Sequence, residues 1–188
     1  MMRRSFSTVC AVLVLAGCAG SLGGESTVRI FDFGMQAPQA KLAGVRMGQV
    51  RAAAPFDSTD IFYRLAYRNP AEVMSFMQSR WAAVPAELLK RQFVRAADGD
   101  VKAACVLDLE LHEISQVFGA RDASEAVLEL RAALSAGGGR IAERSVRISQ
   151  PGAGASAAEG VAAMSRAADR SIAELAGWAA QQPACKRP

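Results

Sequence analysis

The stretch Cys105-Val106-Leu107-Asp108-Leu109-Glu110-Leu111-His112-Glu113-Ile114-Ser115-Gln116-Val117-Phe118 decides the fold. Cys105, Leu107, Leu109 and Leu111 point one way, and Asp108, Glu110 and His112 the other. That period of two belongs to a strand with one dry face. After His112 the apolar phase passes to Ile114, Gln116 and Phe118. A one-residue slip turns every side chain over, so a flip inside a strand predicts a bulge or sharp bend. Glu125–Ser135 repeats the alternation, with Ala126, Leu128, Leu130, Ala132 and Leu134 inward and Glu129 and Arg131 outward. Gly119–Ser124 suits the connection of an antiparallel pair, Gly137-Gly138-Gly139 makes the next turn, and Arg140–Ser149 is the last strand. The pattern predicts a mainly antiparallel sheet with one wet face.

The dry face needs a cover, and the C-terminal part supplies one. Ser156-Ala157-Ala158-Glu159 is a capping box, in which side chain and main chain satisfy each other's orphan groups at a helix start. Val161, Met164, Ala168, Ile172, Leu175 and Ala179 then share one stripe of a long helix, with Trp178 near its end. Toward the N-terminus, Val28–Phe33 reads as a strand broken by Gly34 and Pro38. Val45–Ala54 is a second strand, ended by Pro55, with Gly48 marking a bulge or a close backbone approach. Ile61–Arg68 is a third. Asn69-Pro70-Ala71-Glu72 reads as a helix start, with Val73, Phe76 and Met77 on one face and an end near Ser79. Pro85 opens another helix, with Leu88, Leu89 and Phe93 on one face, closed by Asp98-Gly99-Asp100. The expected class is α/β of the α+β kind: a mainly antiparallel sheet, helices packed on one face, and a long C-terminal helix.

The first residues read differently. Arg3 and Arg4 precede an apolar run, Val9–Ala16. Its roughly eight residues fall short of the roughly twenty that cross a bilayer as a helix, so it reads as an export signal. Leu15-Ala16-Gly17-Cys18 matches the lipobox of bacterial lipoproteins. In such proteins the cysteine thiol takes a diacylglycerol, the preceding peptide is cut, and the new amine is usually acylated, palmitate being the usual chain. Residues 1–17 are then the signal, 18–27 a lipidated Gly/Ser-rich tether, and 28–188 a single domain. Each buried CH2 contributes about 0.8 kcal/mol, so two or three acyl chains hold a protein almost permanently. Ala19, where an aspartate would signal retention in the inner membrane, points to the outer membrane and its periplasmic face. The alternative is an ordinary secretory signal with a chance cysteine.

Removal of residues 1–17 leaves about 170 residues, enough for one domain that buries about 70% of its unfolded surface. Hydrophobic content of 51% and charged content of 21% argue for a globular core and against disorder. Losing Arg3 and Arg4 lowers the formal charge of +4 by two, and no basic cluster with interleaved aromatics appears, which argues against nucleic acid as a partner. Cys10 leaves with the signal and Cys18 is lipidated, so Cys105 and Cys185 remain as an even pair in an oxidising compartment and are expected to bond. Closing a ring of about 80 residues contributes roughly 4.5 kcal/mol in the loop-entropy account. The alternative is two free thiols, with Cys105 a small buried hydrophobe.

Catalytic patterns are missing. His112 is the only histidine, so neither a zincin pair nor a nucleophile–histidine arrangement can be assembled around a second one. Asp108 and Glu110 side by side read as a solvated strand face. The three-glycine run lacks the Lys-Ser/Thr of a phosphate loop and precedes a strand. No cofactor or metal is expected. One stretch, Ser79-Arg80-Trp81-Ala82-Ala83-Val84-Pro85, is read as a loop between two helices, where Arg80 and Trp81 suit a partner-binding anchor. The alternative is a tryptophan that plugs the core with the arginine stacked on it.

That stretch, with Tyr63-Arg64-Leu65-Ala66-Tyr67, Leu88-Leu89, Gln116-Val117-Phe118, Ala126-Val127-Leu128-Glu129-Leu130-Arg131-Ala132 and the Ala-rich closing helix, resembles the ABC-type transport auxiliary lipoproteins, the PqiC-like family. It departs at Phe31-Asp32-Phe33-Gly34, where the family pattern opens on a tyrosine. The resemblance implies an α/β domain with helices on a sheet. It implies a role beside an ABC transporter and a mammalian-cell-entry (MCE) domain protein that carry lipid between inner and outer membranes. The lipoprotein would be the non-enzymatic outer-membrane docking piece, with room for a homo-oligomer. Other readings are a periplasmic lipid-binding module and an envelope scaffold for cell-wall enzymes or the Tol system.

Overall fold

The computed structural model describes residues 27–97, 103–152 and 154–186. Residues 1–17, read as an export signal, Cys18 and residues 19–26, read as a tether, lie outside the described residues, as does the helix stop expected at Asp98-Gly99-Asp100. The chain forms β1 (Arg29–Phe31), β2 (Val45–Ala52), β3 (Asp60–Arg64), β4 (Met74–Trp81), α1 (Pro85–Ala96), β5 (Cys105–Phe118), β6 (Ser124–Ala136), β7 (Gly139–Pro151), α2 (Ala157–Ala180) and a 3-10 turn, Pro183–Cys185. All seven strands make one sheet in the order β1-β4-β3-β5-β6-β7, with β2 also on β5.

β5 is the axis of that sheet. On one side it pairs antiparallel with β6 along its whole length, from Val106↔Ser135 to Phe118↔Ser124. On the other side it serves two strands in succession. β2 runs parallel to its first half, from Val45↔Cys105 to Ala52↔Leu111, and β3 parallel to its second, from Phe62↔Ser115 to Arg64↔Val117. The handover falls at His112. There the β5–β6 register shifts, Leu111 facing Leu130 and Glu113 facing Glu129, so His112 is the extra residue of a bulge. The flip in apolar phase and the change of neighbour are thus one event.

The sheet is antiparallel where its pairings are longest, β5–β6–β7. It is parallel at β1–β4, β2–β5 and β3–β5, a mixture that alternation of side chains does not reveal. β2 carries the irregularity expected of Gly48. Gly48 and Gln49 together oppose Asp108, whose Oδ1 accepts the Gln49 N–H at 2.7 Å. A Cβ on Gly48 would run into that carboxylate.

Residues 69–79 are not helical, which corrects the reading of a short helix there. Asn69 Oδ1 accepts from the Ala71 N–H at 3.1 Å, an Asx turn, and the chain then extends as β4. β4 fills a place that two other strands require, lying between β3 and β1. The helix-like spacing of Val73, Phe76 and Met77 arises from a wide bulge. Asp60 faces Arg80 and Phe62 faces Ser75, so the single residue Ile61 opposes four, Phe76–Ser79. Phe76 turns inward against Tyr63, ring centroids 4.7 Å apart, and Met77 turns out. β3 is correspondingly shorter than expected, the chain turning after Arg64.

Both helices cover the same face. α1 starts at Pro85 as expected, and Leu88, Leu89 and Phe93 are buried. α2 begins at the capping box, both halves of which form: the Glu159 N–H donates to Ser156 Oγ, and the Ser156 N–H donates to Glu159 Oε2. Its stripe from Val161 to Ala179 is buried against the sheet. The helices meet at the Phe33 carbonyl, which accepts from Gln92 Nε2 and Ser165 Oγ. Each fully buried large side chain of this core, such as Phe93, Leu134 or Ile172, contributes about 1.5–3 kcal/mol.

Candidate functional site

The structure puts Arg80 and Trp81 on the last two residues of β4, not on a loop. Trp81 is 2% exposed, with its ring 5.2 Å from that of Phe33. Its aromatic surface belongs to the core. Arg80 holds the β4 bulge together. Its Nη1 donates to the carbonyls of Phe76 (2.6 Å) and Ser79 (2.8 Å), and its Nε pairs with Asp60 Oδ1 at 3.1 Å. A bulge leaves carbonyls without ladder partners, and a guanidinium, with five fixed donors, can serve several at once. The rest of this region is the Met77 side of the bulge. A shallow groove of ≈ 450 Å³ runs there between Arg29, Tyr63, Phe76, Met77 and the start of α2 at Ser156.

Cys105 and Cys185 are bonded, with Cα atoms 5.1 Å apart. The link ties the 3-10 turn after α2 to the start of β5. Both sulfurs are buried, and Gly44, at φ +70°, lies so close that a Cβ there would strike the Cys185 carbonyl.

The outer face of β5–β7 carries charge. Arg131 Nη2 and Glu143 Oε2 are 2.7 Å apart, Arg140 also reaches Glu143, and Arg147 pairs with Glu129. An open groove of ≈ 630 Å³ runs over His112, Glu129, Arg131 and Arg147. The hydrogen bond from Arg131 holds the Glu143 carboxyl below its usual range, and the same bond raises Arg131. His112 lies half exposed beside Glu110, Nε2 to Oε2 3.4 Å. Of the two neighbouring carboxylates, Asp108 is committed to the Gln49 N–H. Glu113, within the bulged part of β5, pairs with Arg64 at 2.8 Å. Among the described residues no group of three or more His, Cys, Asp or Glu is gathered to hold a metal ion.

β7 is a long edge strand, and α2 guards part of it. Pro151 has no N–H, and the Gly152 N–H donates to the Ser124 carbonyl at 2.7 Å. The even-numbered residues therefore bond β6, and Ser145, Arg147, Ser149 and Pro151 turn their main chain outward. Arg170 Nη1 takes the Ser149 carbonyl at 2.9 Å and Arg166 Nη2 the Pro151 carbonyl at 3.2 Å. The i, i+4 spacing of these arginines on α2 matches the i, i+2 spacing of the carbonyls, a signal the sequence reading passed over. Charges along the edge and covered carbonyls are how sheets avoid unwanted pairing.

These features define an α+β domain whose exposed chemistry lies in edge strands and paired charges. The chain belongs to the family of ABC-type transport auxiliary lipoprotein components, whose model matches residues 34–176. Two solved structures share the fold. The crystal structure of protein XCC0632 from Xanthomonas campestris is 20% identical, with 81% of this chain and 90% of that chain covered and a TM-score of 0.62. The crystal structure of an uncharacterized protein is 11% identical, with 81% and 98% covered and a TM-score of 0.65. No curated protein matches the chain. Among the described residues no helix is long and apolar enough to cross a membrane.

Proposed function

We propose that this chain is a non-enzymatic outer-membrane lipoprotein, anchored through Cys18 on the periplasmic side, that docks the MCE-domain protein of an ABC system moving lipid between the two membranes. Family membership over residues 34–176 carries the reading. Leu15-Ala16-Gly17-Cys18, with Ala19 after it, supports the anchor and its membrane. The surface chemistry is consistent with docking: on the outer sheet face Glu143 is held between Arg131 and Arg140, and Glu129 pairs with Arg147. In this reading the partner meets the free part of the β7 edge or the Arg80 end of β4. Of the Arg80–Trp81 pair, Arg80 is the residue open to a partner, and Trp81 shapes the surface from beneath.

Affinity purification of the lipoprotein from solubilised envelopes tests the proposal. An MCE-domain protein should co-purify, and deletion should raise sensitivity to detergents and disturb outer-membrane lipid asymmetry. An unchanged barrier and no MCE protein in the eluate would count against it.

A further inference from the structure

The tether joins the domain at a particular edge. β1 runs parallel to β4 with Arg29 beside Ser79 and Phe31 beside Trp81, so residues before Arg29 leave toward the Met77 end of β4. Exposed apolar side chains gather at that edge: Val28 is 45%, Ile30 60% and Met77 86% exposed, and Val73 and Tyr67 lie open on the turn leading into β4. The opposite edge, β7, has one exposed large apolar side chain, Ile141, among charges and covered carbonyls. Met77 stands out because the bulge held by Arg80 turns it away from the core.

We infer that this tether edge, centred on Met77, Val28 and Ile30, is a membrane-contact surface that rests on the headgroup layer of the bilayer holding the anchor. The inference rests on lipidation of Cys18. Nine residue steps separate Cys18 from Thr27. A Gly/Ser-rich segment of that length spans about 17 Å on average and roughly 30 Å when extended. A domain of this size has a radius of gyration near 15 Å, hence a diameter of about 40 Å. The tether is therefore shorter than the domain is wide, and the edge where it leaves is held nearest the lipid. Arg29, exposed and 5.0 Å from the Phe31 ring centroid, points to the other side of β1 from Val28 and Ile30, and Arg68 is exposed on the turn after β3; both are cations suited to lipid phosphates. Arg80, beside Ile30 in the β1–β4 register, falls within this surface, and the β7 edge at the far side of the sheet stays free for a partner.

The test uses the full lipoprotein, purified with its anchor and reconstituted into vesicles of phosphatidylethanolamine and phosphatidylglycerol. With Cys18 acylated and Cys105 bonded to Cys185, Met77→Cys offers the sole free thiol, which is labelled with a polarity-sensitive fluorophore. Ser145→Cys on β7 is the reference. Headgroup-labelled quencher lipids should quench the Met77 probe several-fold more than the Ser145 probe, with a blue shift at Met77 that appears only when vesicles are present. Equal quenching at both positions on bound protein would overturn the inference while leaving the anchor intact. A Met77 probe already shielded before vesicles are added would also overturn it, because a protein surface would then occupy the edge. Protein that fails to float with vesicles at all would overturn the anchoring itself, and this inference with it.

Discussion

Removing the Cys105–Cys185 bond should weaken this domain more than any surface change. The ring it closes spans 80 residues and encloses β5, β6, β7 and α2, the part of the chain with the longest pairings. Loop closure of that size contributes about 4.5 kcal/mol, chiefly by restricting the unfolded chain. For a domain of this length each kcal/mol moves the melting temperature by about 2–4 °C, so the loss should be about 9–18 °C. Cys105→Ala/Cys185→Ala is the variant to use, because a single substitution leaves one thiol able to cross-link. Urea unfolding of wild type, reduced wild type and the double variant separates two contributions. Reduction removes the ring but keeps both buried sulfurs, and the double variant removes both. Reduced wild type should lose most of the 4.5 kcal/mol, with the double variant slightly lower still. A loss below about 1 kcal/mol on reduction would show that the ring contributes little to stability. Two reactive thiols in the unfolded, unreduced protein would show that it does not form.

Other outcomes follow from single contacts. Gly160→Ala should destabilise by about 1–3 kcal/mol, although alanine is the better helix former, because its methyl would press on the buried Gln116 amide, whose Cδ would lie 2.8 Å away. The same change at Gly177, where nothing lies within 4 Å, should instead stabilise by up to about 1 kcal/mol; chemical denaturation of both compares them directly. Arg80→Met should cost about 1–3 kcal/mol and speed amide exchange across Phe76–Ser79, since the bulge carbonyls lose their charged donor. Glu143 and Glu159 both have carboxyls held below the usual value of 4.5, Glu143 chiefly by the Arg131 hydrogen bond and Glu159 chiefly by the Ser156 side chain. Their contribution to stability is complete above the unfolded value and is lost as pH falls through the lower folded one. Glu143→Gln/Glu159→Gln should therefore flatten the acid limb of stability below about pH 4.5, read as urea midpoints across a pH series. Asp169, raised by burial, acts in the opposite direction and is left in place as an internal reference.

What the sequence made legible was local. Alternation located β5, β6 and β7, and the phase flip located the His112 bulge, because side-chain direction in a strand is set by position alone. Ser156 and Glu159 announced α2, since a capping box needs only four consecutive residues. Gly48 announced the irregularity in β2. What stayed hidden was non-local. Alternation is the same in parallel and antiparallel strands, so the parallel joins of β1, β2 and β3 left no trace. Asn69-Pro70 serves a helix cap or an Asx turn equally well, and the neighbours of β4 decided between them. A four-residue bulge then gave Val73, Phe76 and Met77 the spacing of a helix. The Arg80–Trp81 step stood out as a motif, but nothing nearby in sequence revealed that Phe33, far back in the chain, receives the indole.

In the proposed role the domain works only where its anchor holds it. The most direct test replaces residues 1–18 with a secretory signal that carries no lipidation cysteine and measures the detergent sensitivity of a deletion strain that expresses the freed domain. The expected result is a folded, disulfide-bonded domain that accumulates in the periplasm and leaves the barrier defect in place. Full restoration of the barrier by the freely diffusing domain would contradict it.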